Sequence, residues 1–194
     1  MRIGLYGGTF DPIHHGHLFV ARAAYEELKL DRLCFIPAAH SPFKPGRQPL
    51  DDHWRVRLVR SALAGMPEFE VCEDEIRRGG VSYTIDTVRL FAEKAPGAQL
   101  VYLIGTDHVA TLPQWKSASE LAERLEFAVI PRPGAVRGAT PKDFRCQYLK
   151  GFPVELSSSL LRERLKSGQT IDPFVPPAVS ELIRRYQLYS EIGI

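Results

Sequence analysis

Residues 2–17 read RIGLYGGTFDPIHHGH, an apolar run that passes through two glycines into a cluster of histidines. Its first part, 2–6, is a compact apolar run typical of a strand that is buried on both faces of a parallel sheet. Glycines follow at once, and glycines after a strand let backbone N–H groups approach an anion closely. A helix predicted over 16–29 comes next, and its positive N-terminal end favours the same anion. The stretch therefore predicts a phosphate-binding loop between a first strand and a first helix.

The remainder of the chain continues this alternation of strands and helices. Further strands are predicted at 33–37, 69–72, 100–104, 127–131 and 152–156. Further helices are predicted at 52–64, 84–94, 117–125, 158–167 and 177–189, and a Pro/Gly/basic-rich loop at 132–148. This order predicts an α/β fold, a Rossmann-like doubly wound parallel sheet of order about 3-2-1-4-5 with a small C-terminal helical part. We expect one domain over 1–194, with a core of about 1–156 and a helical part of about 157–194.

Composition and charge narrow the class of protein. The chain has 194 residues, of which 44% are hydrophobic, and Lys plus Arg exceed Asp plus Glu by only 25 to 23. That balance excludes a dedicated polyanion binder, so no nucleic-acid partner is expected. No run approaches ~18 apolar residues and no signal-peptide pattern opens the chain, so no membrane partner is expected either. Cys34, Cys72 and Cys146 are widely spaced, as in a cytoplasmic protein with reduced thiols, and a homo-oligomer is left open.

Three histidines fall within four residues at the predicted helix start. His14 and His17 are three apart, so they can point to one side and donate to phosphate oxygens. One alternative is a tight glycine turn with structural histidines. Another is a zinc site built on the same pair, although no Cys or carboxylate stands at a suitable close spacing.

A second candidate phosphate element lies at 156–162, which reads LSSSLLR. Ser157, Ser158 and Ser159 precede a helical run and are good N-cap residues. Helix-start amides and serine hydroxyls form an anion site, to which Arg162 adds a guanidinium. The alternative is a capped surface helix with a solvated arginine.

Two further loops contain candidate residues for binding a ligand other than the phosphates. Residues 78–87 read RGGVSYTIDT and lead into a predicted helix, and 105–115 read GTDHVATLPQW after the fourth strand. Asp107 is well placed for a ribose hydroxyl, and Trp115 offers a flat surface to an aromatic ring. The alternative for residues 82–84 is that they only cap the helix. The alternative for Trp115 is that its side chain only packs on the core. The loops after strands 1 and 4 should meet, because a sheet of this order opens its crevice there.

These segments together resemble a known family. His14-His15-Gly16-His17 fits the HxGH motif of adenylyl-transferring nucleotidyltransferases, and 156–162 is similar to their I-S-S-T-x-I-R motif, with Leu156, Ser159 and Leu161 as the departures. The loops 78–87 and 105–115 resemble those of bacterial nicotinate mononucleotide adenylyltransferases. Residues 41–45 resemble a basic, proline-rich loop of the same family, in which Lys44 keeps the positive charge.

The resemblance implies transfer of AMP from ATP to nicotinate mononucleotide, with Mg²⁺ carried mainly by the ATP phosphates and no metal bound by the protein. We assign His17 to the α-phosphate in the transition state, and His14, Lys44 and Arg162 to the triphosphate. The implied ATP-binding residues are Gly7, Gly8, Thr9, Phe10, His14, Gly16, His17, Lys44, Gly105, Asp107, Ser157, Ser158, Ser159 and Arg162. The implied acceptor-binding residues are Gly8, Thr9, Ser82, Tyr83, Thr84, Asp107, Leu112 and Trp115.

At the acceptor end the resemblance implies that Trp115 stacks on the pyridine ring and that amides near Thr84 receive the ring carboxylate. A site built on a helix start offers donors and positive potential, and we expect no fixed negative charge there. A phosphopantetheine or nicotinamide mononucleotide adenylyltransferase would keep HxGH and the serine motif without the Ser82–Thr84 and Trp115 features. A catalytically silent nucleotide- or tRNA-binding module on the same fold is the alternative from another class.

Overall fold

The structure is a computed structural model, and it describes residues 1–42, 48–131, 138–152 and 154–190. Within these ranges six strands form one parallel sheet of order β3-β2-β1-β4-β5-β6. The strands are β1 (Arg2–Gly8), β2 (Arg32–Pro37), β3 (Phe69–Val71), β4 (Gln99–Gly105), β5 (Leu125–Ile130) and β6 (Arg145–Tyr148). The predicted order 3-2-1-4-5 is confirmed, with one more strand added at the β5 edge.

Seven α-helices and two 3₁₀ helices connect or follow the strands in the described ranges. The α-helices are α1 (His15–Glu27), α2 (Asp52–Ala62), α3 (Asp74–Arg78), α4 (Thr84–Lys94), α5 (Ala118–Arg124), α6 (Ser158–Lys166) and α7 (Pro177–Arg185). The 3₁₀ helices are Thr106–Gln114 and Asp172–Phe174. Within the described part of the chain no helix combines the length and the apolar character that crossing a membrane requires.

The helices cover both faces of the sheet, which explains why its strands are apolar without alternation. One core cluster joins the sheet to α1, α2, α6 and α7 through residues such as Leu18, Leu58 and Leu161. A second cluster joins the other face to α4 and α5 through residues such as Val88 and Leu121. The C-terminal helices thus extend one of the two helical layers, and α7 packs against α2.

The prediction of the sixth strand was wrong. Phe152 and residues 154–156 are not part of a strand; the sixth strand is β6, which lies inside the stretch 132–148 that was predicted as a loop. The β6 side chains alternate between exposed and half-buried, as on an edge strand, so they carry no apolar run that a pattern could find. Phe152 and Val154 are instead exposed, and both lie at the rim of a cavity.

The sheet topology fixes where a ligand can enter. The chain leaves β1 toward β2 and β3 on one side, and it adds β4, β5 and β6 on the other. β1 and β4 are hydrogen-bonded neighbours, paired for example at Leu5 and Tyr102, so the connections leaving them turn to opposite sides. A crevice therefore opens at the carboxyl ends of β1 and β4, where Gly8 and Gly105 lie.

Candidate active site

A cavity of about 810 Å³ occupies this crevice. Its lining includes the loop after β1 and the start of α6. It also includes the start of α4 and the end of β4, the two segments predicted to bind the acceptor. The predicted site residues that line the cavity are Gly7, Gly8, Thr9, Phe10, His14, Gly16, His17, Ser82, Thr84, Gly105, Asp107, Trp115, Ser157, Ser158, Ser159 and Arg162. Lys44 lies outside the described residues.

Two predicted acceptor residues lie elsewhere. Leu112 is fully buried in the core cluster beneath α4 and α5. Tyr83 packs against the same cluster, and the Lys116 ammonium lies 4.2 Å from the centre of its ring. Neither side chain is part of the cavity wall that the structure describes.

The last two positions of β1, where it leads into the loop, require glycine. A Cβ on Gly7 would lie 2.3 Å from the Tyr102 hydroxyl oxygen, and one on Gly8 would lie 2.9 Å from the Phe10 ring. The loop is also held from beneath by Arg55, which is fully buried and donates from Nη1 to the Thr9 carbonyl at 2.8 Å. The glycines thus bring bare backbone to the cavity wall, and Arg55 keeps that backbone in place.

The two histidines of the motif stack on each other at the start of α1. Their ring centroids are 3.7 Å apart, and the His17 ring also stands edge-on to Phe10 at 5.0 Å. The backbone N–H of His14 donates to His17 Nδ1 at 3.2 Å. Since Nδ1 accepts, the proton of the neutral His17 ring is assigned to Nε2. His17 is thereby prepared to donate from Nε2 to an anion.

His14 is almost completely buried at the helix N-cap position. Burial, together with the neighbouring charge of His15, lowers the pKa of its imidazole to about 4. The ring is therefore neutral near pH 7, and it offers an N–H group rather than a full charge. A phosphate placed beside it would favour the protonated ring and raise that pKa.

The serine-rich segment is bonded directly to the loop after β1. Ser157 caps α6 by accepting from the Leu160 N–H, and the Ser158 hydroxyl donates to the Pro12 carbonyl at 2.9 Å. Arg162 donates from Nη1 to the Asp11 carbonyl at 2.6 Å and from Nη2 to Ser159 Oγ at 2.9 Å. The two predicted phosphate elements, which are far apart in sequence, therefore form one continuous wall.

Asp11 is the centre of this junction. Its side chain is 1% exposed, and its Oδ1 accepts from the Tyr189 hydroxyl at 2.8 Å. Tyr189 is itself buried, and burial together with the Asp11 charge raises the pKa of its hydroxyl well above the usual value. A contact from the end of the C-terminal helical part thus closes the loop that begins after β1.

The acceptor end is built around aromatic rings and the start of α4. Trp115 stands edge-on to Tyr102 and Phe127, with centroid distances of 6.3 and 6.2 Å, and its Nε1 donates to Thr111 Oγ1 at 3.4 Å. These contacts fix the indole ring beside the cavity. Thr84 is the first residue of α4, and no side chain caps that helix start. Backbone N–H groups there are consequently suited to an anionic ligand.

The same end contains a carboxyl group that the sequence did not reveal. Glu75 of α3 is 4% exposed and lines the cavity beside Thr84 and Tyr102. The expectation that no fixed negative charge lies there was wrong, because α3 was not predicted and its single inward carboxyl shows no sequence pattern. Burial raises the pKa of Glu75, and bonds from hydroxyl groups oppose that shift.

Comparison with known proteins places this geometry in a family. A family model described as "Cytidylyltransferase-like" matches residues 5–164. A "Probable nicotinate-nucleotide adenylyltransferase" of Shouchella clausii is 41% identical over 190 residues, covering 98% of this chain and 97% of that protein. A protein of the same name from Opitutus terrae is 39% identical over 192 residues, with 97% and 98% covered.

Solved structures show the same fold. The Plasmodium falciparum nicotinic acid mononucleotide adenylyltransferase complexed with NaAD superposes with a TM-score of 0.78 at 18% identity, covering 97% of both chains. Its complex with APC superposes with a TM-score of 0.73 at 17% identity, covering 97% of this chain and 96% of that one. On the family match and the identity to these relatives, the chain belongs to the cytidylyltransferase-like family and, within it, to the nicotinate-nucleotide adenylyltransferases.

Proposed function

We propose that the chain transfers AMP from ATP to nicotinate mononucleotide, giving nicotinic acid adenine dinucleotide and pyrophosphate. One observation carries the proposal: a single cavity joins the phosphate-binding wall of Gly8, His17 and Arg162 to an acceptor end walled by Trp115 and Thr84. The names of the relatives agree with this reaction. A binding module without turnover would not need the prepared donor at His17.

We propose direct in-line attack without a covalent intermediate. The phosphate of the acceptor is already ionised near pH 7, so it needs no strong general base. One of its oxygens forms a bond to the α-phosphorus of ATP while the bond from that phosphorus to the bridging oxygen breaks. Pyrophosphate leaves with the electron pair. Catalysis then consists of positioning and of charge stabilisation by donors that are fixed beforehand.

The residue roles follow from the geometry of the phosphate wall. His17 donates from Nε2 to the α-phosphate, where charge develops in the transition state. His14 and the Arg162 guanidinium bind the triphosphate, together with amides at the start of α6, and Lys44 is assigned to the same group. Asp107, which follows β4, is assigned to a ribose hydroxyl.

Mg²⁺ is proposed to enter bound to the ATP phosphates. The phosphate wall presents amides, hydroxyls, imidazoles and a guanidinium, and the described residues contain no group of three or more His, Cys, Asp or Glu side chains that could hold a metal ion. This donor set suits the phosphates rather than the ion, whose ligands would be phosphate oxygens and water. When bound, the ion neutralises phosphate charge.

The test is to incubate the protein with ATP, Mg²⁺ and, in separate reactions, nicotinate mononucleotide, nicotinamide mononucleotide or phosphopantetheine, and to identify any product by mass. We expect the acid dinucleotide and one pyrophosphate per turnover. Product from phosphopantetheine alone, or no product from any acceptor, would contradict the proposal.

The direct attack has its own test, the stereochemistry at phosphorus. With ATP carrying a chiral sulfur on the α-phosphate, a single displacement inverts the configuration. Retention would show two successive displacements and hence a covalent intermediate.

We also propose that the enzyme works in the cytoplasm. Cys34, Cys72 and Cys146 are all free thiols, as expected in a reducing compartment. Burial raises the pKa of Cys34 to about 12 and that of Cys72 to about 11, so both remain protonated and unreactive.

A further inference from the structure

Glu75 is a buried carboxyl group in the acceptor end for which the reaction has no use. It belongs to the five-residue helix α3 and lies next to α4, whose first turn is the proposed receptor for the acceptor's ring carboxylate. A negative charge beside an anionic substrate opposes binding. The hydrogen bonds of Glu75 indicate a structural role that outweighs this cost.

The Glu75 carboxylate accepts hydrogen bonds from two hydroxyl groups. The Thr87 Oγ1 hydroxyl donates to Glu75 Oε1, and the Ser82 hydroxyl bonds to the same carboxylate. Ser82 Oγ in turn accepts from the Ala39 N–H at 3.0 Å, which leaves the hydroxyl proton of Ser82 to point toward Glu75. The result is a chain of bonds from the loop after β2, through Ser82, to Glu75 and Thr87.

These two hydroxyls lie on either side of Thr84. Ser82 is two residues before the first residue of α4, and Thr87 is three residues after it, in the first turn and on the same side of the helix. The backbone of this segment is also tied down, because the Ser82 N–H donates to the His40 carbonyl at 2.9 Å. Glu75 therefore holds both ends of the segment whose amides face the cavity.

We propose that Glu75 is a positioning residue for acceptor choice: through Ser82 and Thr87 it fixes the first turn of α4 in the orientation that receives a ring carboxylate. The inference rests on the proposed function and adds to it the group that sets the preference for an acid over an amide. The hydroxyl groups of Ser82 and Thr87 donate to the Glu75 carboxylate, so hydrogen bonds within the protein stabilise its negative charge. The carboxylate thus supports the amides instead of repelling the substrate.

Glu75→Gln separates positioning from a direct effect of charge, because the two have opposite signs. If Glu75 only repels the substrate, the neutral variant gains preference for the acid acceptor. If Glu75 positions α4, one of the two hydroxyl bonds is lost. The KM for nicotinate mononucleotide then rises about tenfold, and the acid-to-amide ratio of kcat/KM falls by a similar factor. The KM for ATP is expected to stay within twofold of the wild type.

Thr87→Val gives an independent reading, since it removes one hydroxyl and leaves the charge in place. Like Glu75→Gln, it should raise the acceptor KM and lower the acid-to-amide ratio. In the double variant, the fold-change should be smaller than the product of the two single fold-changes. Glu73→Gln is the matched control. Glu73 precedes α3 and pairs with Arg60 and Arg77 outside the cavity, so no kinetic constant should change.

The outcomes distinguish this inference from the proposed function. A wild-type protein that makes no acid dinucleotide contradicts the function itself. A wild type that does so, with an unchanged or higher acid-to-amide ratio in Glu75→Gln and Thr87→Val, overturns the role of Glu75 alone. A parallel rise of the KM values for ATP and acceptor would show a general structural defect and would also overturn it.

Discussion

His17 and His14 share one stack of rings but have different tasks. The bond from the His14 backbone fixes the tautomer of His17, while burial keeps the His14 side chain neutral. The helix start thereby offers a directed donor without a permanent positive charge, as the proposed reaction requires beside the reacting phosphate. Charge that appears only in the transition state is best stabilised by groups of this kind.

His17→Ala is expected to lower kcat about 10²–10³-fold while changing the KM values much less, because the donor acts mainly in the transition state. Steady-state kinetics with both substrates measures this. His15→Ala is the matched control, since His15 stacks on Phe19 at 6.0 Å and has no assigned role. A kcat within threefold of wild type for His17→Ala would remove it from the mechanism.

Because His14 is buried in its neutral form, we expect the folded protein to lose stability in acid. Its pKa is about 4 in the folded protein and about 6.5 when unfolded, so below pH 6.5 the unfolded state binds a proton that the folded state does not. From pH 7 to 5 this should lower the free energy of unfolding by about 2 kcal/mol. Urea unfolding of the wild type and of His14→Asn at both pH values tests it. Equal losses in the two proteins would contradict the buried neutral state.

Single residues show why part of the site could not be predicted. His14, His17 and Arg162 stand in dense, characteristic motifs, and the structure places them in one cavity as expected. Glu75 and Arg55 are isolated charged residues in otherwise ordinary helices. Burial sets their roles, and burial depends on tertiary contacts that no local pattern contains.

In the proposed function, α4 is the element that determines the choice of acceptor. Its first turn presents N–H groups without a side-chain cap, so a carboxylate can accept from them, whereas an amide leaves a donor facing donors. An unpaired buried polar group costs about 1–3 kcal/mol, and a lost charge-assisted bond adds to that cost. We therefore expect kcat/KM to be at least ~100-fold higher for nicotinate than for nicotinamide mononucleotide.

The measurement is kcat/KM for each mononucleotide under saturating ATP. Trp115→Ala serves as the comparison, because a ring contact should weaken both acceptors similarly. Equal values for the two mononucleotides in the wild type would contradict the account based on the α4 helix start.

The elements that the sequence predicted well are those with a single dominant signal. Buried apolar runs located β1, β2, β4 and β5 to within two residues, and apolar spacing located α1 and α2 equally well. The edge strand β6 was missed because its exposed face needs no apolar residues, and α3 because five residues show no period. Residues 152–156 were assigned to a strand because apolar side chains such as Phe152 and Val154, which line the cavity, resemble a buried run in the sequence.

At the scale of the whole molecule, distant parts of the chain meet at the loop after β1. Ser158 and Arg162 donate to the carbonyls of Pro12 and Asp11, and the Tyr189 hydroxyl donates to the Asp11 side chain. The C-terminal helical part is therefore a structural component of the proposed ATP site. Its removal would leave the Asp11 carboxylate buried with one partner fewer.

Tyr189→Phe tests this dependence with the loss of one oxygen atom. It should lower the free energy of unfolding by about 1–3 kcal/mol and raise the KM for ATP more than that for the acceptor. Denaturant unfolding and steady-state kinetics provide the two readings. Tyr186→Phe is the control: that tyrosine is 38% exposed, so a change within about 0.5 kcal/mol is expected. Equal effects of the two substitutions would show that the Asp11 contact has no special weight.

The contact between Asp11 and Tyr189 also sets an order of events during protein synthesis. The two residues are 178 positions apart, so at common translation rates roughly 10–40 s pass between their incorporation. For the first 151 positions of that interval the nascent loop lacks Arg162, and until its end it lacks the tyrosine hydroxyl that closes it. The proposed ATP site is thus among the last parts of the molecule to be completed, although its motif is among the first to be translated.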